Sequence, residues 1–345
     1  MKQVNFGVVG LGDLGELHIK HLKYKIEGAN LIAVCARHES RVKEIQERYN
    51  VKYAYTDFNE MIKNTDIEAV MIVSNVDAHK GQCIAAAKAG KHIFCEKPLA
   101  RTVEECHEIE EAVEANKGKV FTIGYMRRSD PSYVDAMKKV KAGAIGEPIL
   151  FKSVSLDPSS VLEAHLEGVN AGKYSPFFLE MGIHDIDLAL WYMQSEIESV
   201  YAVGGAYVES RFANYNDYDN ACALARLKNG KCFYLQVGRT HNSSHVYSEI
   251  VGTNGTIRIN NIPRKNRLEI FNDSGVIEEC ESTFLERWVD AFIAEVESFI
   301  DCVVNGKEPV INVYEGAKSL KMYNMIQTSF VEDRLVRSNE FEIVN

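Results

Sequence analysis

Residues 4–18 read VNFGVVGLGDLGELH, and this stretch decides the fold of the first part of the chain. An apolar run ends at Val9 and leads directly into three glycines and then into an amphipathic stretch. A strand, Gly-x-Gly-x-x-Gly and a helix in that order predict dinucleotide binding. The first glycine permits a tight turn, the second lets the main chain approach the pyrophosphate, and the third lets helix and strand pack closely. The residues predicted to hold the phosphates are Gly10, Leu11, Gly12, Asp13, Leu14 and Gly15.

Beyond this motif, the first third of the chain alternates short apolar runs with amphipathic stretches. The apolar runs are VNFGVVG, LIAVCA, EAVMIVS, HIFCE and VFTIG. Strands that alternate regularly with helices form right-handed βαβ crossovers around a parallel sheet that is covered on both faces. We therefore expect an α/β, doubly wound Rossmann domain over residues 1–124.

After Gly124 the pattern becomes that of an α+β domain. Helices are predicted at 131–141 and around 180–191. The strand-like runs that follow are SVYAVGGAYV, CALARL, CFYLQVG, YSEIVG, GTIRIN and RLEIF, and helical patterns at 284–306 and 315–334 close the chain. We expect residues 125–345 to form a substrate-binding and oligomerisation domain with a large, open, mainly antiparallel sheet. The last helices are free to pack back on the first domain.

Composition excludes several classes of protein. With 345 residues, 46% of them hydrophobic, the chain can bury two cores. A formal net charge of −10 argues against nucleic acid or an anionic membrane as partner, because both require a concentrated positive face. We find neither a signal-peptide pattern nor an apolar run of the roughly 18 residues that a spanning helix needs, and expect a cytoplasmic protein. The eight cysteines are scattered singly, so most are expected as buried thiols.

The end of the second strand distinguishes between the two nicotinamide cofactors. An Asp or Glu there binds the ribose 2′-hydroxyl, whereas a basic residue accommodates a 2′-phosphate. Here the strand ends in Cys35-Ala36-Arg37-His38, without an acid. A bidentate grip of Arg37 on phosphate, with Ala36 beside it, favours NADP over NAD. Alternatively, Arg37 stacks on adenine or faces solvent, and Glu39 reaches the ribose.

Two segments carry candidate catalytic residues. In CEKP, Lys97 follows a strand at the carboxyl edge of the sheet, where it can stabilise an alkoxide; alternatively, it is a surface loop residue. In EMGIHDID, a helix would put Glu180 and His184 one turn apart, so that the carboxylate orients the imidazole for acid–base catalysis. The alternatives are a structural core histidine and a metal site, and the lack of a second histidine or ligand cluster argues against metal.

GLGDLG, VSNVDAH, CEKPLA, GYMRR and IHDID occur in the order and spacing of the Gfo/Idh/MocA oxidoreductases, which this sequence resembles over nearly its whole length. GYMRRSDPSY and SEIVGTNGTIRI are most similar to inositol dehydrogenases. The resemblance implies a Rossmann domain, a C-terminal domain with a large open sheet, and homo-oligomers, frequently tetramers, built through that sheet. It also implies metal-free hydride transfer between a nicotinamide cofactor and a small polyhydroxylated substrate.

The resemblance also implies roles for single residues. Lys97 and His184 become catalytic, Arg127 becomes a ligand of a substrate hydroxyl, and Asp157 stands where inositol dehydrogenases usually carry a substrate-facing Asn. The further cofactor contacts that it implies are Ser74, Asn75, His79, Glu96 and Lys97. Position alone adds His165 and His245 as polar candidates. The sequence departs from the family in having Glu180 where Asp is usual, and in lacking the Asp that NAD-preferring inositol dehydrogenases carry after the second strand.

The sequence therefore favours reversible oxidation of a ring secondary alcohol of a cyclitol or sugar, with myo-inositol as the best match. In this hypothesis His184 accepts the hydroxyl proton, Lys97 stabilises the alkoxide, Glu180 positions one or both, and the hydride goes to the nicotinamide. A non-enzymatic dinucleotide- and sugar-sensing regulator with the same fold is one rival. An aldose, anhydro-sugar or keto-sugar oxidoreductase and a dihydrodiol-type dehydrogenase are two others.

Overall fold

The computed structural model describes residues 2–170, 176–259, 264–280 and 283–341. The chain divides into two compact units. The first comprises the residues up to Asp130 together with Val289–Lys318, and the second comprises Pro131–Trp288 together with the residues from Ser319 onward. The first unit thus extends past the predicted boundary at Gly124 and includes a segment from near the end of the chain. The sequence left the last helices free to pack on the first domain.

The first unit contains a Rossmann domain. Its elements before residue 130 are β1 (Val4–Val9), α1 (Asp13–Tyr24), β2 (Ala29–Cys35), α2 (Glu39–Tyr49), β3 (Tyr53–Tyr55), α3 (Phe58–Lys63), β4 (Ala69–Ile72), α4 (Val76–Lys88), β5 (His92–Glu96), α5 (Val103–Glu114) and β6 (Phe121–Gly124). The six strands form one parallel sheet in the order β3-β2-β1-β4-β5-β6. The predicted doubly wound sheet is confirmed, although the short β3 and α3 were not predicted.

The core of the first unit depends on residues far apart in sequence. Val4, Phe6 and Val8 of β1 are all fully buried, as expected of a central parallel strand. A helix from near the end of the chain, which we label α10 (Val289–Asn305), adds Val296, Phe299 and Ile300 to the same hydrophobic cluster. The rings of Phe6 and Phe299 lie 6.0 Å apart. Burial of each such side chain contributes roughly 1.5–3 kcal/mol, so α10 is part of this domain's core.

The second unit has a mixed sheet. Its elements are α6 (Pro131–Lys141), β7 (Pro148–Pro158), α7 (Leu162–Asn170), α8 (Ile183–Met193), β8 (Ile197–Gly205), β9 (Asn220–Leu227), β10 (Cys232–His241), β11 (His245–Gly252), β12 (Gly255–Ile259), β13 (Arg264–Asn272), β14 (Gly275–Cys280), α9 (Phe284–Arg287) and β15 (Val336–Arg337). Seven strands pair in the order β12-β11-β7-β10-β9-β8-β15, and only β7 and β10 pair in parallel. The mainly antiparallel sheet is confirmed. The last helix, α11 (Tyr314–Glu332), begins in the first unit and ends in the second.

Several predicted elements differ in detail. The helix predicted over 284–306 is interrupted at Trp288, whose backbone has φ −105° and ψ 17° and whose side chain is buried against Tyr133. β13 contains the predicted strand RLEIF but pairs with β14, which was not predicted, in a separate hairpin. Asn260, the last residue of the predicted strand GTIRIN, lies outside the described residues.

Two expectations from composition concern cysteine and membranes. Cys35, Cys83, Cys95, Cys106 and Cys302 are buried thiols, as expected of most of the eight, whereas Cys232 is exposed. Across the described ranges we find no helix with the length and apolar character needed to cross a membrane.

Candidate active site and cofactor-binding residues

The register of the parallel sheet brings the first set of candidates to one edge. Val9 pairs with Cys35 on one side and with Ile72 on the other, and Ile72 pairs with Cys95. The ends of β1, β2, β4 and β5 are therefore level. These ends are followed by the glycine loop, by Ala36-Arg37 and by Ser74-Asn75, and β5 ends in Glu96 and is followed by Lys97. All of these residues lie at the carboxyl edge, where open α/β sheets bind their ligands.

The three glycines of the loop meet different surroundings. Gly10 has φ +96°, and a Cβ there would lie 2.4 Å from the carbonyl carbon and oxygen of Val73. A Cβ on Gly15 would lie 1.9 Å from the carbonyl oxygen of Gly10, so helix and strand require a glycine there to pack. A Cβ on Gly12, the residue before the first turn of α1, would meet no atom of the described residues within 4 Å apart from its own chain neighbours. The main chain at Gly12 is therefore open to a phosphate at the positive end of α1, and the loop fits a dinucleotide.

Arg41 of α2 holds this loop in place, a role that was not predicted from the sequence. Its Nε donates to the carbonyl oxygen of Leu11 over 2.9 Å, and its Nη2 lies 2.6 Å from Glu16 Oε2. Arg48 and the hydroxyl of Tyr49 also bond to the Glu16 carboxylate, at 2.7 and 2.6 Å. These three donors outweigh the effect of burial and lower the pKa of Glu16 to about 2. The first turn of α1 is thus tied to α2 by an ionised carboxylate.

The residues after β2 are open to solvent. Ala36 is half-buried, whereas Arg37, His38 and Glu39 are exposed. The carboxylate of Glu39 forms an i,i+4 ion pair with Lys43 at 2.8 Å. Arg37 follows the end of β2 at the carboxyl edge of the sheet, and its predicted contact with a ribose 2′-phosphate stays a prediction.

The residues after β4 are built around a buried histidine. His79 is 1% exposed, and its ring nitrogens lie 2.9 Å from the carbonyl oxygen of Pro98 and 3.0 Å from that of Ser74. Burial lowers the pKa of His79, against the opposing effect of these carbonyls. Ser74 donates to Gln82, and Asn75 caps α4 by accepting from the N–H of Asp77. His79 therefore joins the loop after β4 to the turn that carries Lys97.

Lys97 follows a buried glutamate and precedes a cis proline. The Lys97–Pro98 peptide is cis, and the N–H of Lys97 donates to Glu96 Oε2 over 3.3 Å. The other carboxylate oxygen of Glu96 lies 2.8 Å from His18 Nε2 on α1. A Cβ on Gly124 would lie 2.9 Å from Glu96 Oε2, so β6 leaves room for this carboxylate. Glu96, predicted as a cofactor contact, is 4% exposed and directed into the unit.

Glu295 of α10 joins Glu96 and His18 and was missed by sequence reasoning. One potential ligand atom from each of the three lies within 4.8 Å of the others. The ring of His18 packs edge-to-face against the rings of Phe94 and Phe292, with 5.8 and 5.5 Å between the ring centroids. Burial, with the charge of Glu96 as a further cause, raises the pKa of Glu295 well above its ordinary value. The group has the chemistry to hold a small cation, and the expected absence of a metal stays a prediction.

Arg127 and Arg128 follow β6 in a short 3-10 turn, Met126–Ser129. Both are buried, at 3% and 5% exposed. Arg128 is paired with Glu315 at 3.0 Å. Arg127, the predicted ligand of a substrate hydroxyl, is thus a buried cation in the first unit, and its predicted role stays a prediction.

In the second unit, the segment around His184 is helical but begins differently from the prediction. Phe178–Gly182, which contains Glu180, is a π-helical turn, and α8 begins at Ile183. The prediction assumed an α-helix, in which Glu180 and His184 lie one turn apart on the same face. The wider π turn changes the angle between these two residues about the helix axis. His184 is 5% exposed, and the neighbouring Asp185 accepts from Ser155 Oγ over 2.9 Å.

Glu180 is held by residues from other elements. Its Oε2 lies 3.1 Å from His165 Nδ1 of α7 and 3.2 Å from Arg239 Nη2 of β10. His165, which was predicted from its position alone, therefore contacts the catalytic candidate Glu180. Arg239, which also contacts Glu180, was not predicted from the sequence. Burial lowers the pKa of His165, and the charge of Glu180 opposes this effect.

Asp157 and His245 lie at one end of the second sheet. Asp157 is half-buried near the end of β7, and Leu156 beside it pairs with His245 at the start of β11. The ring of His245 stacks on that of His241 with 5.1 Å between centroids. Both predicted polar candidates therefore lie at the same strand ends, and their roles stay predictions.

Comparison with known proteins connects these two sets of residues to a family. Residues 4–125 match the model of an oxidoreductase family with an NAD-binding Rossmann fold, and residues 133–258 match the GFO/IDH/MocA C-terminal domain. The chain is 31% identical to the scyllo-inositol 2-dehydrogenase (NAD(+)) of Bacillus subtilis, over 95% of this chain and 94% of that protein. It is also 31% identical to the myo-inositol 2-dehydrogenase of Thermotoga maritima, over 98% of this chain and 99% of that protein. The scyllo-inositol dehydrogenase of Lactobacillus casei, solved with bound NAD(H) and scyllo-inositol, superposes with a TM-score of 0.94 at 31% identity, covering 98% of this chain and 100% of that one.

Proposed function

We propose that this chain, which belongs to the Gfo/Idh/MocA family of NAD-binding oxidoreductases, reversibly oxidises a secondary hydroxyl of a cyclitol, with an inositol as the substrate. The observation that carries the proposal is the open main chain at Gly12, on the same sheet edge as Lys97. A loop that fits a dinucleotide beside a lysine that can stabilise an alkoxide is suited to hydride transfer from a carbinol. The names of the full-length relatives support an inositol over an aldose or keto-sugar.

Each proposed role follows from the chemistry of the side chain. A bound nicotinamide would supply the hydride acceptor. His184 takes the hydroxyl proton, since imidazole exchanges protons near neutral pH. Lys97 donates to the developing alkoxide, and Glu180 supplies the negative charge that favours the protonated imidazole. Arg127 and Asp157 bind the remaining ring hydroxyls.

The cofactor is a nicotinamide dinucleotide held by the glycine loop, Ala36, Arg37 and the segments at Ser74-Asn75, His79 and Glu96-Lys97. The NAD(H) in the Lactobacillus casei enzyme supports NAD as a cofactor for this chain. Preference for NADP, which the exposed Arg37 led us to predict, stays a prediction. Location in the cytoplasm stays a prediction as well.

We also propose a homo-oligomer built through the open sheet. On β8 and β9 the buried residues alternate with exposed apolar ones, and Tyr201, Val203 and Leu224 are 42%, 44% and 61% exposed. Tyr201 pairs with Leu224 across the two strands, so these side chains form one apolar patch. A patch of this kind on a sheet face is typical of a surface that binds another copy of the same chain.

The test is the rate of nicotinamide reduction with NAD and NADP in parallel, against myo-inositol, scyllo-inositol, glucose and xylose. We expect turnover of a cyclitol, and a loss of at least about a hundredfold in kcat for Lys97→Met and for His184→Gln. Both variants should melt as the unaltered protein does, and His184→Gln should also bind the dinucleotide with unaltered affinity. Turnover of glucose or xylose alone would support the aldose rival. Dinucleotide and sugar binding without any turnover would support the sensing regulator.

A further inference from the structure

The cluster around Glu180 contains a buried cation to which the proposed mechanism assigns no role. Arg239, near the end of β10, is 1% exposed. Its Nη1 lies 3.4 Å from Asp217 Oδ2, and its Nη2 lies 3.2 Å from Glu180 Oε2. The guanidinium carbon lies 3.7 Å from the ring centroid of Phe177, within the range of a cation–π contact. Arginine stays protonated in proteins, so a buried guanidinium requires a partner of opposite charge.

The two carboxylates that face Arg239 differ in their access to water. The side chain of Asp217 is 0% exposed, whereas that of Glu180 is 45% exposed. Asp217 also accepts from the main-chain N–H of Phe177 over 3.3 Å, which fixes its orientation. Burial raises the pKa of Asp217, and the charge of Arg239 opposes that effect. Arg239 therefore donates to a fully buried carboxylate, that of Asp217, and to a partly exposed one, that of Glu180.

A second contact fixes the direction of the Glu180 carboxylate. Oε2, the oxygen that faces Arg239, also lies 3.1 Å from His165 Nδ1. The charged and titratable groups around Glu180 include Arg239 of β10, His165 of α7 and, behind Arg239, Asp217. The π turn that carries Glu180 continues directly into α8, whose first turn carries His184. A flexible glutamate, longer by one methylene than the Asp usual in the family, is held at one oxygen by two donors.

We propose that Arg239 is a positioning residue: anchored by Asp217 and Phe177, it holds the ionised carboxylate of Glu180 against His165, and so keeps a fixed negative charge at the start of the helix that carries His184. The role of His184 in this statement rests on the proposed function. Arg239 acts only through Glu180, and its removal therefore has no effect where Glu180 has already lost its charge.

The test is a double-mutant cycle. Arg239→Met alone would leave Asp217 buried without its cation and could unfold the protein, so the variant is Arg239→Met with Asp217→Asn, which removes both buried charges together. Four proteins are compared: the unaltered chain, Glu180→Gln, the Arg239→Met/Asp217→Asn variant, and the three substitutions combined. Arg258→Met is the control, because Arg258 is an exposed arginine paired with Glu249 at 2.6 Å.

We expect the Arg239→Met/Asp217→Asn variant to lose about tenfold in kcat, or about 1.4 kcal/mol, with the KM for the dinucleotide unchanged. In the Glu180→Gln background the same two substitutions should change kcat by less than about twofold. The acidic limb of the pH–rate profile should move to lower pH in Glu180→Gln, since loss of a nearby negative charge makes the protonated imidazole of His184 less stable. It should move in the same direction in the Arg239→Met/Asp217→Asn variant, where the carboxylate of Glu180 is no longer held in place. Losses that multiply in the combined variant would indicate a purely structural role and overturn the proposal.

A second readout does not depend on activity. Titration of the His165 imidazole by NMR measures the nearby carboxylate directly, because the charge of Glu180 raises the pKa of His165. Glu180→Gln should lower that pKa in the unaltered chain but have little effect in the Arg239→Met/Asp217→Asn background, where Glu180 is no longer held. Equal shifts in both backgrounds would overturn the proposal. An unaltered protein that oxidises no polyol would refute the proposed function instead, and this titration would still test Arg239.

Discussion

Substituting the three loop glycines by alanine one at a time should separate cofactor binding from folding. Gly10→Ala requires alanine at φ +96° and brings its methyl group to 2.4 Å from the main chain at Val73. A left-handed conformation costs roughly 1–2 kcal/mol and overpacking roughly 1–3 kcal/mol, so we expect a loss of stability of about 2–5 kcal/mol. Gly15→Ala meets the main chain at 1.9 Å and should be destabilising through overpacking as well.

Gly12→Ala should behave in the opposite way. Apart from its chain neighbours, no described atom lies within 4 Å of the added methyl group, so the melting temperature should stay within a degree or two of that of the unaltered protein. The methyl group would, however, occupy the space where the pyrophosphate approaches the main chain. Loss of one charge-assisted hydrogen bond, at roughly 1.5–3 kcal/mol, predicts a dissociation constant for the dinucleotide that is about 10–150-fold higher.

The measurements are thermal unfolding by circular dichroism and dinucleotide affinity by calorimetry. Gly81→Ala is the matched control, because Gly81 lies in α4 and, apart from the backbone of that helix, no described atom lies within 4 Å of its added Cβ. This variant should bind the dinucleotide normally and gain up to about 1 kcal/mol from helix propensity. Normal affinity in Gly12→Ala, or unfolding of Gly12→Ala comparable with that of Gly10→Ala, would refute this account of the loop.

Three further predictions concern the surface, the cofactor and pH. Leu224→Glu puts a charge into the apolar patch that Leu224 forms with Tyr201, and it should divide an oligomer into smaller species. Light scattering measures the mass of the assembly, and an unchanged mass would contradict assembly through this sheet face. Arg37→Gln should weaken NADP binding by roughly 10–100-fold and leave NAD binding nearly unchanged; equal effects on both cofactors would show that Arg37 does not read the 2′-phosphate. Because the pKa of Glu16 falls from 4.5 to about 2 on folding, its stabilisation is full above pH 4.5 and is lost as the pH falls towards about 2. The free energy of unfolding of Glu16→Gln should therefore be lower than that of the unaltered protein by roughly 2 kcal/mol near neutral pH, and this difference should narrow in acid. A difference that stays constant across pH would contradict the lowered pKa of Glu16.

The features that the sequence predicted are those encoded locally. The glycine loop could be identified because strand, turn and helix are adjacent in sequence, and the level strand ends follow from the regular alternation of elements. The position of Lys97 at this edge was predicted in the same way, since Lys97 directly follows β5. α6 begins at Pro131 and ends at Lys141 as predicted, because a proline in the first turn and a glycine shortly after the end are strong local signals.

The features that were missed depend on contacts between distant residues. Arg239 and Glu180 are 59 positions apart, and β10 has no local pattern that distinguishes a buried arginine from one on the outer face of the sheet. Glu295 lies on an amphipathic helix whose sequence does not show that it faces Glu96. The π turn at Glu180 was missed because one inserted residue hardly changes the spacing of apolar residues on which helix prediction relies.

The segment Val289–Lys318 belongs to the same unit as β1, and this has a consequence for synthesis of the chain. During translation the residues up to Asp130 emerge first, yet Val296, Phe299 and Ile300 of the same core leave the ribosome only after Pro131–Trp288 of the second unit. Until α10 has been synthesised, Phe6 and its neighbours therefore stay partly exposed to solvent. The first unit can complete its hydrophobic core only when α10 packs against them. A fragment that ends at Asp130 should accordingly aggregate, whereas the same fragment supplied with α10 through a flexible linker should fold.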